Sequence, residues 1–370
     1  MEILKIFIAP MLTSFVITYF AIPKIIQFAK NSRLYAAKAG RHSHKGKVPI
    51  FGGAGIFVGI LMSLLIWRTL LWIENEDVSI IVQDLKIGLA IIFSIIIIFF
   101  TGLIDDLLSL TPIKKLISQI VAVLILIFLG GLEIKSMMGV LGIQALPMSL
   151  SIFFTIFVVI VITNAYNLID GIDGLAGGLG VISSAFFGFL FFLNQDYGFT
   201  ILSFAVIGSL LAFLRFNFNP ASIFMGDTGS LVVGMILSIF AIRLINEGVA
   251  LPFGDDLINE SRFGKRGPFM AIAILAVPLY DTFRIFIIRS LSGYNPLHAD
   301  RNHIHHALLD LGFGHRTSSI ILWIFSIVII CISYQLIQYE HSLAIFALSA
   351  FVLSCMSFPF ILLRIRETRK

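Results

Sequence analysis

Apolar runs of about 20 residues recur along this chain, and they constrain its fold more than any other feature of the sequence. An α-helix of that length crosses the roughly 30 Å hydrocarbon core of a bilayer. Hydrophobic residues make up 58% of the 370 residues and charged residues only 13%, which is far more apolar than a soluble domain of this size. The sequence therefore predicts an all-α polytopic integral membrane protein.

The apolar runs predict eleven membrane-spanning helices in a single domain, residues 1–370, without an internal repeat. The first run lacks a small-residue cleavage site, so we expect it to stay as a span. Residues 131–147 are too polar to span and could form an external hairpin, and residues 247–267 are expected to be an external loop. The helices are predicted at 4–23, 50–72, 86–104, 112–130, 150–164, 175–194, 198–215, 229–246, 268–290, 318–338 and 342–363.

The distribution of charge predicts the orientation of these helices. Cytoplasmic loops of membrane proteins are enriched in lysine and arginine. The loop after the first helix holds seven basic residues and no acid: Lys24, Lys30, Arg33, Lys38, Arg41, Lys45 and Lys47. The next loop is acidic, with Glu74, Glu76, Asp77 and Asp84. We therefore expect the N-terminus outside, the C-terminus inside, and cytoplasmic loops near 105–111, 164–174, 215–228 and 291–317.

Dense polar clusters fall in these predicted cytoplasmic loops. The first is GLIDDLLSL, in which Asp105 and Asp106 end an almost uncharged apolar helix. Two anions at a helix C-terminus oppose the helix dipole, so a metal ion or the nearby Lys114 and Lys115 should compensate them. A single aspartate there would more simply meet the lipid headgroups.

The second cluster, NAYNLIDGIDGLAGG, is the most specific. It places Asn164, Asn167, Asp170 and Asp173 three residues apart, on one slowly turning helical stripe. The glycines between them permit a phosphate or nucleotide to approach the backbone. An ordinary interhelical loop would have little reason to keep so many carboxylates and glycines together.

The third cluster, RFNFNPASIFMGDTGSL, carries Asn217 and, at the start of the eighth predicted helix, Asp227. Asp227 could simply cap that helix. A helix N-terminus with small residues also accepts phosphate, and an adjacent aspartate can hold the magnesium ion that phosphate brings.

The fourth cluster, NPLHADRNHIHHALLDLGFGH, gathers Arg301, His303, His305 and His306. Clustered histidines can bind zinc, but no cysteine is near and an arginine lies among them. We therefore favour hydrogen bonding to phosphate oxygens over a closed zinc site. Lys45 lies in the basic loop after the first helix, where topology alone could account for it.

Carboxylates, basic groups and a predicted magnesium site on one membrane face favour phosphoryl or phosphoglycosyl transfer. A transporter or channel is the main alternative, but its acidic residues would lie near the middle of the membrane. An inactive membrane scaffold is the third alternative. It would have no need of four separate glycine-flanked polar loops.

The ordered motifs GGAGIF, GLIDDL, NAYNLIDGIDGLAGG, FMGDTGSL and HADRNHIHH resemble those of the polyprenyl-phosphate N-acetylhexosamine-1-phosphate transferases, glycosyltransferase family 4. The resemblance covers nearly the whole chain. It implies a Mg²⁺-dependent reaction, in which Mn²⁺ could substitute, between a UDP-N-acetylhexosamine and undecaprenyl phosphate. The products would be UMP and a lipid-linked diphosphate sugar that starts a cell-envelope polysaccharide.

The resemblance also assigns roles to residues. It makes Asp105, Asp106, Asp227 and His305 catalytic, and Asn167 with Asp227 the magnesium ligands. The expected substrate-binding residues are Lys45, Lys114, Lys115, Asn164, Asn167, Asp170, Asp173, Asn217, Arg301, His303 and His306.

The last motif points to one branch of the family. The muramoyl-pentapeptide branch typically has three consecutive histidines, whereas here Ile304 separates His303 from His305. The motif resembles instead the GlcNAc-1-phosphate branch that starts O-antigen, enterobacterial common antigen or teichoic acid synthesis. We expect a multi-pass protein of the cytoplasmic (inner) membrane, with a cleft on the cytoplasmic face as its active site. Undecaprenyl phosphate and the UDP-sugar are its expected partners, without nucleic acid, and a homodimer is left open.

Overall fold

The computed structural model describes residues 4–32, 48–73, 78–249, 266–291 and 303–368. These residues form thirteen α-helices, preceded by a π-helical turn at Leu4–Ile8. The helices are α1 Ala9–Asn31, α2 Gly52–Ile73, α3 Val78–Leu108, α4 Pro112–Phe128, α5 Met148–Ile169, α6 Leu175–Leu193, α7 Tyr197–Asn217, α8 Gly226–Glu247, α9 Gly267–Ile274, α10 Ala276–Leu291, α11 Ile304–Asp310, α12 His315–Leu336 and α13 His341–Thr368.

Nine helices in the described ranges are long and apolar enough to cross a membrane, or ten if a bent pair counts as one span. The chain is therefore a multi-pass membrane protein, as the apolar runs predict. The count of eleven is not confirmed, although each predicted span contains a helix. Within the predicted span 112–130, helix α4 is only 17 residues long, about 25 Å at 1.5 Å per residue, and so is short for a bilayer.

The predicted span 268–290 is broken. Helices α9 and α10 meet at Leu275 with a bend of 80°. Pro278, in the first turn of α10, has no N–H to donate to the carbonyl group of Ile274, so a straight helix would lose a hydrogen bond there. Helix α11 adds a further difference, because it forms inside the loop predicted at 291–317.

Helix α8 is the centre of the bundle. Every residue from Thr228 to Ile242 is buried, as expected for a helix that is apolar on all sides. Two glycines let neighbouring helices approach its first turn. A Cβ atom on Gly102 of α3 would lie 2.5 Å from the Cα atom of Thr228, and one on Gly53 of α2 would lie 2.1 Å from the backbone nitrogen of Gly229. The ends of α2 and α3 are thereby held against the start of α8.

The structure describes the whole of the predicted external segment 131–147 but only the two ends of the predicted external loop 247–267. Within residues 131–147 an antiparallel bridge joins Ser136 to Ala145, and a short 3₁₀ turn, Val140–Gly142, lies between them. Most of the predicted external loop 247–267 lies outside the described residues, which end at Val249 and resume at Arg266.

Candidate active site

Asp106 holds the first turn of α8 from the end of α3. Its Oδ1 atom accepts a hydrogen bond from the backbone N–H of Asp227 at 2.9 Å. Its Oδ2 atom accepts from the backbone N–H of Thr228 at 3.0 Å and from the Thr228 hydroxyl at 2.6 Å. These amides have no partner within the helix, and the positive end of the helix dipole favours the carboxylate. Asp106 is therefore the cap of α8, the role that the sequence had suggested for Asp227.

Gly226 makes this capping contact possible. Its φ angle is +71°, which is unfavourable for a residue with a side chain. A Cβ atom there would lie 2.6 Å from Oδ2 of Asp106. The glycine before Asp227 is thus required by the backbone turn and by the approach of Asp106.

Lys115 bridges two of the predicted catalytic acids. Its Nζ atom lies 2.6 Å from Oδ2 of Asp105 and 2.5 Å from Oδ2 of Asp227. The other Asp105 oxygen accepts a hydrogen bond from the backbone N–H of Leu110 at 2.7 Å. All three charged side chains keep some exposure: 23% for Lys115, 12% for Asp105 and 29% for Asp227. A ligand can therefore reach this triad.

The two lysines proposed from the sequence are separated by the structure. Lys114 is exposed, whereas Lys115 points at the carboxylates. On helix α4 adjacent side chains point about 100° apart, so only one of the pair can face α3 and α8. Lys115 is the one that belongs to the site.

Asn167 joins helix α5 to the same carboxylate. Its side-chain amide donates to Oδ1 of Asp227 at 3.2 Å and to the hydroxyl of Ser230 at 2.7 Å. Asp227 thus has Lys115 on one oxygen and Asn167 on the other. Ser230, one turn into α8, is a member of the site that the sequence analysis did not single out.

Asn164, one turn before Asn167, is engaged by a residue that the sequence analysis missed. Its amide nitrogen donates to Oε1 of Gln119 at 2.9 Å and to the backbone oxygen of Ile160 at 2.7 Å. Gln119 is buried in α4. A lone glutamine among the apolar residues of α4 was the available signal, because a buried amide needs a partner. The pair ties α4 to α5 beside Lys115.

Asp170 follows the last residue of α5 and is half-buried. Desolvation, together with repulsion by the carboxylates of Asp227, Asp106 and Asp173, raises its pKa to about 7. Near neutral pH the charged and the neutral form of this carboxyl group are therefore both populated. The charge of Asp170 can thus change within the physiological pH range.

Asp173 and Asn217 are turned inward and hold the loop that follows α5. Asp173 accepts hydrogen bonds from the Asn219 amide at 2.9 Å and the Ala221 N–H at 3.1 Å, and His315 lies 3.5 Å away. Burial alone would raise its pKa, but these contacts hold the pKa below the ordinary value. Asn217 accepts from the Gly174 N–H and donates to the Ile223 carbonyl group, both at 2.9 Å. Both side chains are thus already used inside the protein.

One of the clustered histidines, His305, packs against Gly171 in the loop that follows α5. A Cβ atom on Gly171 would lie 2.1 Å from Nε2 of His305, so this imidazole fills the space that the glycine leaves. His305 is only 1% exposed. Burial, and the neighbouring imidazoles of His306, His303 and His315, lower its pKa well below the ordinary value. His305 is therefore a neutral group at pH 7.

His303 and His306 lie beside His305, with ring centroids 5.7 Å and 4.3 Å from its own. His303 is held by Asp281 of α10, a buried acid that the sequence analysis missed. Lys45 and Arg301, which the sequence also assigned to substrate binding, lie outside the described residues.

The donor set suits a magnesium ion that is shared with a ligand. Asp227 and Asn167 offer one carboxylate and one amide, and Mg²⁺ takes oxygen ligands, keeps waters and commonly shares the oxygens of a bound phosphate. Among the residues that the structure describes, no three His, Cys, Asp or Glu side chains converge to hold a metal without other ligands. The geometry thus fits a metal that arrives with phosphate.

The chain is similar to known proteins over most of its length. A family model described as "Glycosyl transferase family 4" matches residues 88–245, which include Asp105, Lys115, Asn167, Asp170 and Asp227. A decaprenyl-phosphate N-acetylglucosaminephosphotransferase from Mycolicibacterium smegmatis is 30% identical over 331 residues, covering 85% of this chain and 78% of the relative.

Two further relatives carry related descriptions. An undecaprenyl-phosphate alpha-N-acetylglucosaminyl 1-phosphate transferase from Haemophilus influenzae is 31% identical, over 76% of this chain and 73% of the relative. A probable undecaprenyl-phosphate N-acetylglucosaminyl 1-phosphate transferase from Bacillus subtilis is 30% identical, over 87% of this chain and 82% of the relative. The three relatives share the polyprenyl phosphate and the N-acetylglucosamine in their descriptions.

Proposed function

Because the chain belongs to the polyprenyl-phosphate N-acetylglucosamine-1-phosphate transferases of glycosyl transferase family 4, we propose that it transfers GlcNAc-1-phosphate from UDP-GlcNAc to undecaprenyl phosphate. An oxygen of the lipid phosphate forms a bond to the sugar-bearing phosphorus of the donor. The bond from that phosphorus to the bridging oxygen breaks, and the electron pair leaves with UMP. The lipid diphosphate sugar is the other product.

The observation that carries this proposal is the bridge from Lys115 to Asp105 and Asp227. A cation held between two carboxylates and open to solvent is a ready partner for a phosphate group. When a phosphate enters, the ammonium group can turn towards it and the carboxylates can face a cation that the phosphate brings. Transfer of a phosphoryl group depends mainly on such positioning of charge.

The residues around Asp227 support a magnesium requirement. Asp227 and Asn167 would hold the ion together with diphosphate oxygens, and Mn²⁺ would take the same ligands. A magnesium ion held there would supply positive charge to offset the charge that develops on the departing UMP. Asp106 keeps the start of α8 in place, and Lys115 balances Asp105 while the lipid phosphate approaches.

No strong base is needed to prepare the nucleophile. A phosphate monoester loses its second proton near pH 6, so undecaprenyl phosphate is largely a dianion at neutral pH. We therefore assign Asp105 to the orientation of Lys115 and of the phosphate. Asp170, whose pKa is about 7, lies on the nucleotide side of the site in this proposal.

We propose that the site faces the cytoplasm, where the basic loop after α1 would lie by the positive-inside rule. The described site residues lie at the ends of α3 and α5 and at the starts of α4 and α8, which places them at one end of the bundle. A Lys114→Cys variant tests this orientation. A membrane-impermeant maleimide should label it in inside-out vesicles and not in right-side-out vesicles, and the reverse pattern would refute it.

The test of the reaction uses the purified protein with undecaprenyl phosphate, Mg²⁺ and a panel of donors: UDP-GlcNAc, UDP-GalNAc and UDP-MurNAc-pentapeptide. We expect UMP release that requires the lipid and is fastest with UDP-GlcNAc. Release that is independent of the lipid, or none with any donor, would overturn the proposal. Preference for the muramoyl-pentapeptide donor would move the chain to the peptidoglycan branch.

A further inference from the structure

Asp281 is a buried acid in a helix whose other residues are mostly apolar. It lies in α10 just after the bend and is 1% exposed. Its Oδ2 atom lies 2.7 Å from Nδ1 of His303, and its Oδ1 atom accepts the backbone N–H of Ile304 at 2.9 Å. Both oxygens are thus directed at the two residues that begin α11. A buried carboxylate is costly, so these bonds must offset its desolvation.

Arg284 shares this buried cluster, one turn further along α10. Its Nη2 atom lies 3.5 Å from Oδ1 of Asp281. Its guanidinium carbon lies 3.8 Å from the centre of the Phe360 ring of α13. The guanidinium of Arg284 and the backbone N–H of Ile304 are both donors to Oδ1 of this carboxyl group, and neither can accept a hydrogen bond from it. Asp281 is accordingly an acceptor on both oxygens.

An acceptor at Nδ1 determines the tautomer of His303. Because the Asp281 carboxylate has no proton to give, Nδ1 of His303 must carry the hydrogen. The other ring nitrogen, Nε2, can then accept a hydrogen bond in the neutral imidazole or donate one in the imidazolium form. A carboxylate behind an imidazole fixes both the orientation and the tautomer of the ring.

His303 is connected to the site through His305. The two rings are nearly parallel, with 7° between their planes and 5.7 Å between their centroids. His305 in turn occupies the space over Gly171, next to Asp170. A shift of His303 or of the first turn of α11 would therefore move His305 against the loop that carries Asp170.

We propose that Asp281 is a positioning residue for the transfer reaction. It fixes the Nδ1–H tautomer of His303 and the start of α11, so that Nε2 of His303 is available to a substrate oxygen and His305 stays against Gly171. This inference rests on the proposed function. Asp281 itself contacts no substrate; it acts through His303.

The test compares Asp281→Asn with Asp281→Glu and with Tyr280→Phe. Asparagine can still accept from Ile304 but can present an N–H to His303, which reverses the tautomer. We expect kcat/KM to fall about 10- to 100-fold, the size of loss seen when a carboxylate that orients a metal-bound histidine is removed. Asp281→Glu should recover part of the loss. Tyr280→Phe removes the neighbouring 2.5 Å bond to Ser349 and should leave kcat/KM unchanged.

A spectroscopic measurement tests the contact between Asp281 and His303 independently of the transfer reaction. In protein labelled with ¹⁵N-histidine, the His303 signal, identified by its loss in His303→Gln, should show Nδ1 protonated in the wild type and not in Asp281→Asn. A wild-type His303 with its proton on Nε2 would overturn the inference, whether or not transfer is detected. Equal activity of Asp281→Asn and wild type, or an equal loss in Tyr280→Phe, would also overturn it. Absence of transfer in the wild type would instead refute the proposed function.

Discussion

Asp106 at the end of α3 caps the backbone of Asp227, 121 positions further along the chain. This contact joins the first and third polar clusters and sets where the carboxylate of Asp227 can point. Asp106→Ala should therefore destabilise the protein, by about 0.5–2 kcal/mol for a lost cap. It should also abolish UMP release.

The matched variant is Asp105→Asn, at the adjacent position. Asp105→Asn leaves Lys115 paired with Asp227 at 2.5 Å, so no charge is left without a partner and little stability should be lost. Asp105→Asn should lose UMP release with a melting temperature close to that of the wild type. Thermal unfolding in detergent, measured beside activity, separates the two roles. Equal melting temperatures for Asp106→Ala and the wild type would refute the capping role.

Lys115 and Lys114 provide a second matched pair. Lys115→Ala removes the cation between Asp105 and Asp227, and we expect a loss of about 10²-fold in kcat, the size seen when one charge-stabilising group is removed from an active site. Lys114→Ala changes an exposed side chain and should stay within about twofold of the wild type, as surface substitutions usually do. The initial rate of UMP release checks both. Similar losses in the two variants would show that Lys115 has no special part.

Gly171→Ala tests the contact with His305. The added methyl group would lie 2.1 Å from Nε2 of that imidazole, so His305 and the start of α11 must shift. We expect a lower kcat with a folded protein. Gly314→Ala is the control, because a Cβ atom there meets nothing within 4 Å. Wild-type activity in Gly171→Ala would separate His305 from the reaction.

Asp170 predicts a pH dependence of stability. Its pKa is about 7 in the folded protein, against about 3.9 in an unfolded chain. Between these values the unfolded chain has lost a proton that the folded protein keeps, so the free energy of unfolding falls as pH rises from about 4 to 7. Above pH 7 the full loss of stability remains.

Asp170→Asn removes this dependence. In detergent with a chelator, its melting temperature should rise relative to that of the wild type as pH increases through this window. The comparison cancels other titrating groups that both proteins share. A difference between the two proteins that does not change with pH would contradict the raised pKa.

Much of the fold could be predicted because a segment that crosses the lipid as a helix must be apolar and about 20 residues long. Each predicted span contains a helix. The predicted ends were placed at charged residues, however, whereas α3 includes Asp84 and extends past Asp106. The break at Leu275 lies just before Pro278, a signal that the prediction from apolar run length did not use.

The site was predicted in part. Asp105, Lys115, Asn167 and Asp227 come together because their clusters lie at one end of the bundle. The sequence could not show that Asp106 caps α8, or that Asp173 and Asn217 turn inward, since both depend on contacts between distant segments. Asp281 had a signal: with Arg284 it forms a charged pair in an apolar span, and such residues are seldom there without a function.

The most direct test of the whole account is lipid-dependent UMP release from UDP-GlcNAc by wild-type protein and by Asp227→Asn. The substitution keeps the size of the side chain and removes the charge that Lys115 and Asn167 face. We predict release by the wild type and none above the lipid-free background in the variant, with the same elution volume and membrane insertion. Wild-type rates in a folded Asp227→Asn protein would contradict the assignment of this site.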